Sequence, residues 1–155
     1  MNLTKIDIIG LVVVGLLLVW QDARSADMVM HFGSKHIDNG ASDYNFNEKN
    51  LGIGVRYPTG TNFSIRGGIY DNSYNSNSVY FGGDWYTASN VLNLGVQAGL
   101  VTGYAGTPQG GGTVTPYILP YVSIRTGVLT TEIGCIPPVI GKIGVLTLSA
   151  RVELF

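Results

Sequence analysis

Two imidazoles and a knot of hydroxyls and amides are the side chains here with chemistry to offer. His31 and His36 lie near the start of the mature region, and Ser73, Ser76 and Ser78 interleave with Asn72, Asn75 and Asn77 beside Asp71. An imidazole set against a hydroxyl can make it a nucleophile or activate a substrate hydroxyl, the usual ingredients of acyl transfer. The same Asn/Ser run is also ordinary turn chemistry, because these side chains hydrogen-bond the local backbone. His36, close to a loop, reads first as a solvated loop-edge histidine and second as a rival base. No His/Cys/Asp grouping has metal-ligand spacing, and Gly110-Gly111-Gly112 lacks the lysine and the strand–turn–helix setting of a phosphate loop. Neither a metal nor a cofactor is expected.

The elements that must hold these groups are strands. Arg56, Arg66, Asp84, Arg125, Glu132, Arg151 and Glu153 all fall on the same side of an apolar/polar alternation, with small and polar neighbours. The opposite side reads Leu, Ile, Val and Phe. Successive side chains of a strand point to opposite faces, so each segment has one oily and one ionic face. A soluble β-barrel that binds an apolar ligand would turn the ionic face to water. A small membrane barrel turns the oily face to lipid and packs the charges in its lumen.

The N-terminus favours the membrane case. Lys5, an uncharged run from Ile8 to Trp20 and the small residues of Ala23-Arg24-Ser25 read as a secretory signal over residues 1–25, with the mature barrel domain over 26–155. The uncharged run is shorter than the about 20 residues a spanning helix needs. Only 12% of the chain is charged, against about a quarter in soluble domains. A net charge of −1 argues against nucleic acid. The single cysteine, Cys135, forms no internal disulfide and reads as a small apolar strand residue. With no apolar helix in the mature part, a membrane protein of this sequence must be a closed barrel.

Eight strand-like segments follow, over 28–36, 50–57, 62–72, 78–86, 91–102, 116–126, 128–136 and 144–155. Connections 37–49, 73–77, 103–115 and 137–143 are longer than 58–61, 87–90 and the bend at Gly127, as in outer-membrane barrels with short periplasmic turns. The expected fold is all-β, an eight-stranded antiparallel transmembrane barrel in the outer membrane. Tyr57, Phe63, Trp85, Tyr86 and Phe155 sit at strand ends where interface aromatics belong. Eight strands leave no wide channel, so the lumen charges should pair as a plug rather than line a transport path. Pro116 and Pro120 are awkward inside a ladder and mark a gap in strand pairing.

Several of these segments carry a resemblance. Pro116-Tyr-Ile-Leu-Pro-Tyr-Val-Ser123, Gly127, Ile136-Pro137, Asn47-Glu48 with Leu51-Gly-Ile-Gly-Val55, and Tyr70–Ser73 ahead of Val79–Trp85 resemble the lipid A palmitoyltransferase family of outer-membrane enzymes. The resemblance implies a His, an Asp and a Ser at the external rim that move an acyl chain from phospholipid to lipid A, entering through openings between strands. It places the His on His31 and the Ser on Ser73. The Asp falls on Asn72, a departure, with Asp71 next to it facing the other way. The family's helix before its first strand is also missing, since only a few residues separate Ala26 from Met28. His31 and Ser73 sit on the first and third strands, so they meet only across the lumen or rim. The expectation is therefore a monomer among phospholipid and lipid A, acyltransferase-like. The alternative is a non-catalytic barrel that modifies the cell surface or binds a partner through its loops.

Overall fold

Alternating apolar and small residues, broken by Pro-, Gly- and Asn-containing turns, give strands rather than helices because only a period of two places one face in lipid. The computed structural model describes residues 26–38, 45–107, 113–137 and 143–154. The expected signal segment 1–25, the Gly110-Gly111-Gly112 tip and Phe155 lie outside them. The strands are β1 (Asp27–Asp38), β2 (Gly52–Pro58), β3 (Phe63–Asp71), β4 (Asn77–Tyr86), β5 (Leu92–Thr102), β6 (Val114–Thr126), β7 (Leu129–Ile136) and β8 (Ile143–Glu153). Each pairs antiparallel with the next, and β1 closes on β8, giving a barrel with no free edge. Every expected strand is present, its ends moved by at most two residues. Gly127, with φ +62°, opens the β6–β7 hairpin turn, where a residue at positive φ matches the twist of the strands.

Burial is inverted relative to a soluble protein. Phe81 and Ile118 are 65% and 67% exposed, and Leu94, Val122, Ile133 and Leu148 also face outward. Buried positions are mostly polar, among them Ser64, Arg66, Asp84, Ser123 and Glu132. This arrangement excludes the soluble barrel and makes the exterior a lipid-facing surface.

The turn end of the lumen is filled by ions. Arg56 donates through Nε to Asp84 at 2.7 Å and through Nη1 to Asp27 at 2.8 Å. Arg151 Nη1 donates to the same Asp27 oxygen at 2.8 Å. Its Nε lies 2.7 Å from Glu132 Oε1, a charge contact without hydrogen-bond alignment. Arg66 Nη2 donates to Glu132 Oε2 at 3.1 Å, both side chains fully enclosed. Tyr121 and Ser64 donate to Asp84, and Ser149 donates to Glu132. The arginines Arg56, Arg66 and Arg151 balance Asp27, Asp84 and Glu132, so the plug has no net charge.

Three expectations about this end need correction. Arg125 and Glu153 are not enclosed: they pair with each other, each partly exposed, because the wall ends at their level. Tyr86 is not part of the outer aromatic belt; parity turns it inward, where the Arg56 guanidinium carbon sits 4.5 Å from its ring centroid. Phe63 and Trp85 do pack on the outside, ring centroids 4.7 Å apart. Asp27, the hub of the plug, was left out by a strand starting at Met28, although Asp27, Val29 and His31 continue the inward alternation.

Candidate functional site

A β-bulge decides which histidine faces inward. Through His31↔Ser149 the β1–β8 register is regular, and it resumes at Gly33↔Leu148, so Phe32 is an extra residue. An unbroken strand would put His31 and His36, an odd number of residues apart, on opposite faces. The inserted residue shifts parity by one. Phe32 points outward, 44% exposed, while His31, Ser34 and His36 all line the lumen.

Above the bulge β1 leaves β2, whose pairing with it stops at His31↔Gly52. Residues 47–50 take its place. Ser34 N–H donates to Glu48 O at 3.0 Å, and His36 N–H donates to Glu48 Oε1 at 3.4 Å. Gly33 is needed for this approach, since a Cβ there would lie 2.5 Å from Glu48 O. Lys35 pairs with Glu48 at 3.0 Å, and this bond, the largest cause, holds the Glu48 carboxyl below its ordinary pKa. His36 stacks on Phe46 with centroids 4.1 Å apart.

The β6–β7 ladder is also incomplete at the loop end. It runs from Thr126↔Leu129 only to Tyr121↔Gly134, although β6 continues back to Val114 and β7 on to Ile136. Arg125 N–H donates to Val91 O, on the β5 side. Hydrogen-bonding sides alternate along an antiparallel strand, and the β5–β6 register is unbroken, so even-numbered residues of β6 address β7. Pro120 would stand opposite Cys135 in the next hydrogen-bonded pair, and Pro116 also faces that side. Neither has an N–H to give. The expected gap is therefore present, at the side the missing donors dictate.

Between the plug and the loops lies a cavity of about 260 Å³. Val101, Leu119, Ile136 and Val145 supply apolar wall, with Leu119 and Ile136 on the two sides of the gap. His31, His36, Ser73, Tyr70 and Tyr80 supply the polar part. His31 Nε2 is 2.9 Å from Tyr80 Oη, and the His31 ring contacts Tyr70 and Tyr80 at 5.7 and 5.3 Å. Tyr70 Oη in turn lies 2.9 Å from Tyr104 Oη. Sequence reading did not single out these tyrosines, yet their inward parity on β3 and β4 was available.

The structure brings His31 and Ser73 to the same cavity and keeps the two neighbouring candidates away from it. Asp71 is exposed on the outer face, opposite Asn77 at the end of the β3–β4 ladder. Asn72 is fully buried and holds the turn together. Its Nδ2 donates to Ser78 Oγ at 3.0 Å and to Gly103 O at 2.8 Å, and its Oδ1 accepts from Tyr74 and Ser76 N–H. Asn47 N–H reaches Ser73 O at 2.9 Å, and Asn47 Nδ2 reaches Asn72 O at 3.2 Å, tying the first loop to this turn. Among the described residues no group of His, Cys, Asp and Glu could hold a metal ion.

No protein family and no curated protein matches the chain by sequence. In structure it is similar to a de novo designed transmembrane β-barrel, with a TM-score of 0.60, 14% identity, and 84% of this chain and 96% of that one covered. It is also similar to the N-terminal β-barrel domain of OprF from Pseudomonas aeruginosa, with a TM-score of 0.53, 12% identity, and 83% and 96% covered. Nothing among them supports the lipid A palmitoyltransferase family in particular. What they share with this chain is the fold, a closed eight-stranded antiparallel barrel of the outer-membrane kind.

Proposed function

We propose that this chain works in the outer membrane, loops outside, as an acyltransferase-like enzyme that takes an acyl chain from phospholipid through the β6–β7 gap and passes it to lipid A. His31 serves as base and Ser73 as its hydroxyl partner, while Asn72 fixes the turn that presents Ser73. The observation that carries this reading is that His31 and Ser73, distant in sequence, line one half-apolar cavity beside a gap in the wall. Lipid outside the barrel and the apolar side chains of the cavity meet at that gap, so a chain entering there stays out of water. The test is the lipid A mass spectrum of cells expressing the chain, which should show one added acyl group. His31→Ala and Ser73→Ala should each remove most of it. An unchanged spectrum with folded barrel in the membrane refutes transfer.

A second reading has an observation of its own. His31 Nε2 is already engaged by Tyr80, and Asn72 stands where a carboxylate would be wanted. These favour a non-catalytic barrel that holds lipid, or meets a partner through its loops. That case predicts lipid retained through purification together with an unaltered lipid A spectrum.

A further inference from the structure

The cavity wall contains polar atoms that the fold leaves unmatched. Thr115 Oγ1, Tyr117 Oη and His36 Nδ1 are buried and find no hydrogen-bond partner among the described residues. All three residues line the cavity. Folded proteins match nearly all such groups, so one cavity lined by several unmatched ones is a place for a ligand or for ordered water. Thr115 and Tyr117 share the inward face of β6, two residues apart, on the stretch that has no partner on the β7 side. His36 stands on the β1 wall, level with Val145 of β8, which pairs with Ile136 across from the gap.

The chemistry of the lining narrows what fits. Among the described residues no Lys or Arg lines the cavity, and every arginine of the plug beneath it has a carboxylate partner. A phosphate or a free carboxylate would enter with no cation to meet it, at a large desolvation cost. Two unmatched hydroxyl donors in an uncharged, half-apolar wall suit instead an uncharged acceptor carried on a hydrocarbon chain. We propose that Thr115 and Tyr117, with His36 opposite, form a binding site for the ester carbonyl of a fatty-acyl ester whose chain enters past β6. Tyr117 Oη–H and Thr115 Oγ–H donate to the carbonyl oxygen, and any charged head group stays at the rim, outside the gap. This deepens the lipid-handling reading, on which it rests, and it makes Tyr117 a specificity-determining residue.

The probe is the methyl ester of a sixteen-carbon fatty acid carrying ¹³C at the carbonyl, added to the full-length barrel refolded in detergent. Isotope-edited infrared spectroscopy should show a carbonyl band shifted to lower frequency than the same ester in empty micelles, because hydrogen bonding weakens the C=O bond. Tyr117→Phe should lose most of the shift, and Tyr117→Phe with Thr115→Val should lose all of it and bind about tenfold more weakly. Both variants keep the ring or branch that fills the wall, and heat-modifiable gel mobility reports whether each barrel is folded. The corresponding free fatty acid should bind more weakly than the ester. A folded wild-type barrel with no shifted band, as when water alone occupies the site, overturns the proposal. So does a band that survives the double variant, or tighter binding of the free acid. Acyl transfer is read separately from the lipid A spectrum, so a shifted band without transfer removes the catalytic reading and leaves this site standing.

Discussion

Replacing Glu132 tests whether the lumen ions act as one unit. Its carboxylate is fully enclosed, accepts from Arg66 at 3.1 Å and from Ser149 at 3.3 Å, and lies 2.7 Å from Arg151 Nε. Glu132→Ala leaves Arg66, itself fully enclosed, without the one ion-pair partner it has among the described residues and tips the plug to net positive charge. Arg66 cannot discharge by losing a proton, because guanidinium stays protonated in proteins. Removing one member of a buried pair costs about 3–5 kcal/mol, most of it the penalty of the stranded charge. Glu132→Gln keeps the shape and one acceptor, so it should cost less than the alanine variant. Arg66→Met with Glu132→Leu removes both charges and should recover most of the loss. The measurement is urea unfolding of the barrel in detergent micelles, followed by fluorescence, with the midpoint shift read at constant slope. A loss below about 1 kcal/mol for Glu132→Ala, or a double variant no better than the single, would mean that water reaches Arg66 and the plug is not dry.

Other perturbations address the wall and the loops. Pro120→Ala restores an N–H facing β7, and should extend the ladder and slow hydrogen exchange at the Cys135 amide; unchanged exchange there would detach the gap from the proline. Asn72→Ala removes four hydrogen bonds from the turn and should cost about 2–4 kcal/mol in the same unfolding assay, far more than Asp71→Ala on the outer face. Val96→Arg, on the lipid face near the middle of β5, should cost about 2–4 kcal/mol in bilayers; a neutral result would argue against lipid contact there. The Glu48 carboxyl has a lowered pKa in the folded barrel, so its latch to Lys35 and the His36 amide is complete at neutral pH and is lost as pH falls through that value. The protection of the Ser34 and His36 amides, taken relative to the intrinsic exchange rate at each pH, should therefore fall in acid, and Glu48→Gln should flatten that fall.

How far the sequence was legible follows from which signals are local. The alternation through Arg56, Arg66, Asp84, Glu132 and Arg151 put each on the lumen side, because a period of two survives without knowledge of the partner strand. The gap at Pro120 could be read for the same reason: a missing N–H belongs to one residue, and only the side it faces needed the register. Arg125 and Glu153 kept the inward parity yet lie open at the mouth, since parity sets direction and carries no information about depth. Thr115 fell just outside the expected sixth strand, so one of the unmatched hydroxyls was out of view.

β1 is where local reading failed, and the failure concerns the candidate site. A strand of ordinary parity offers one inward histidine, and choosing between His31 and His36 looks like choosing a face. The bulge at Phe32 abolishes that choice by admitting both to the cavity wall, at two depths. Its cause is not in β1 at all. β2 leaves at Gly52, residues 47–50 come in over Gly33, and the strand must gain a residue against β8 to meet both neighbours. Deleting Phe32 would straighten the strand against β8 yet leave His31 and His36 four residues apart and both inward, so it removes the bulge without taking either imidazole from the cavity. Ester binding kept in that variant and lost in His36→Phe, with Tyr80 still held by His31, would place the function in the upper histidine and not in the irregularity itself.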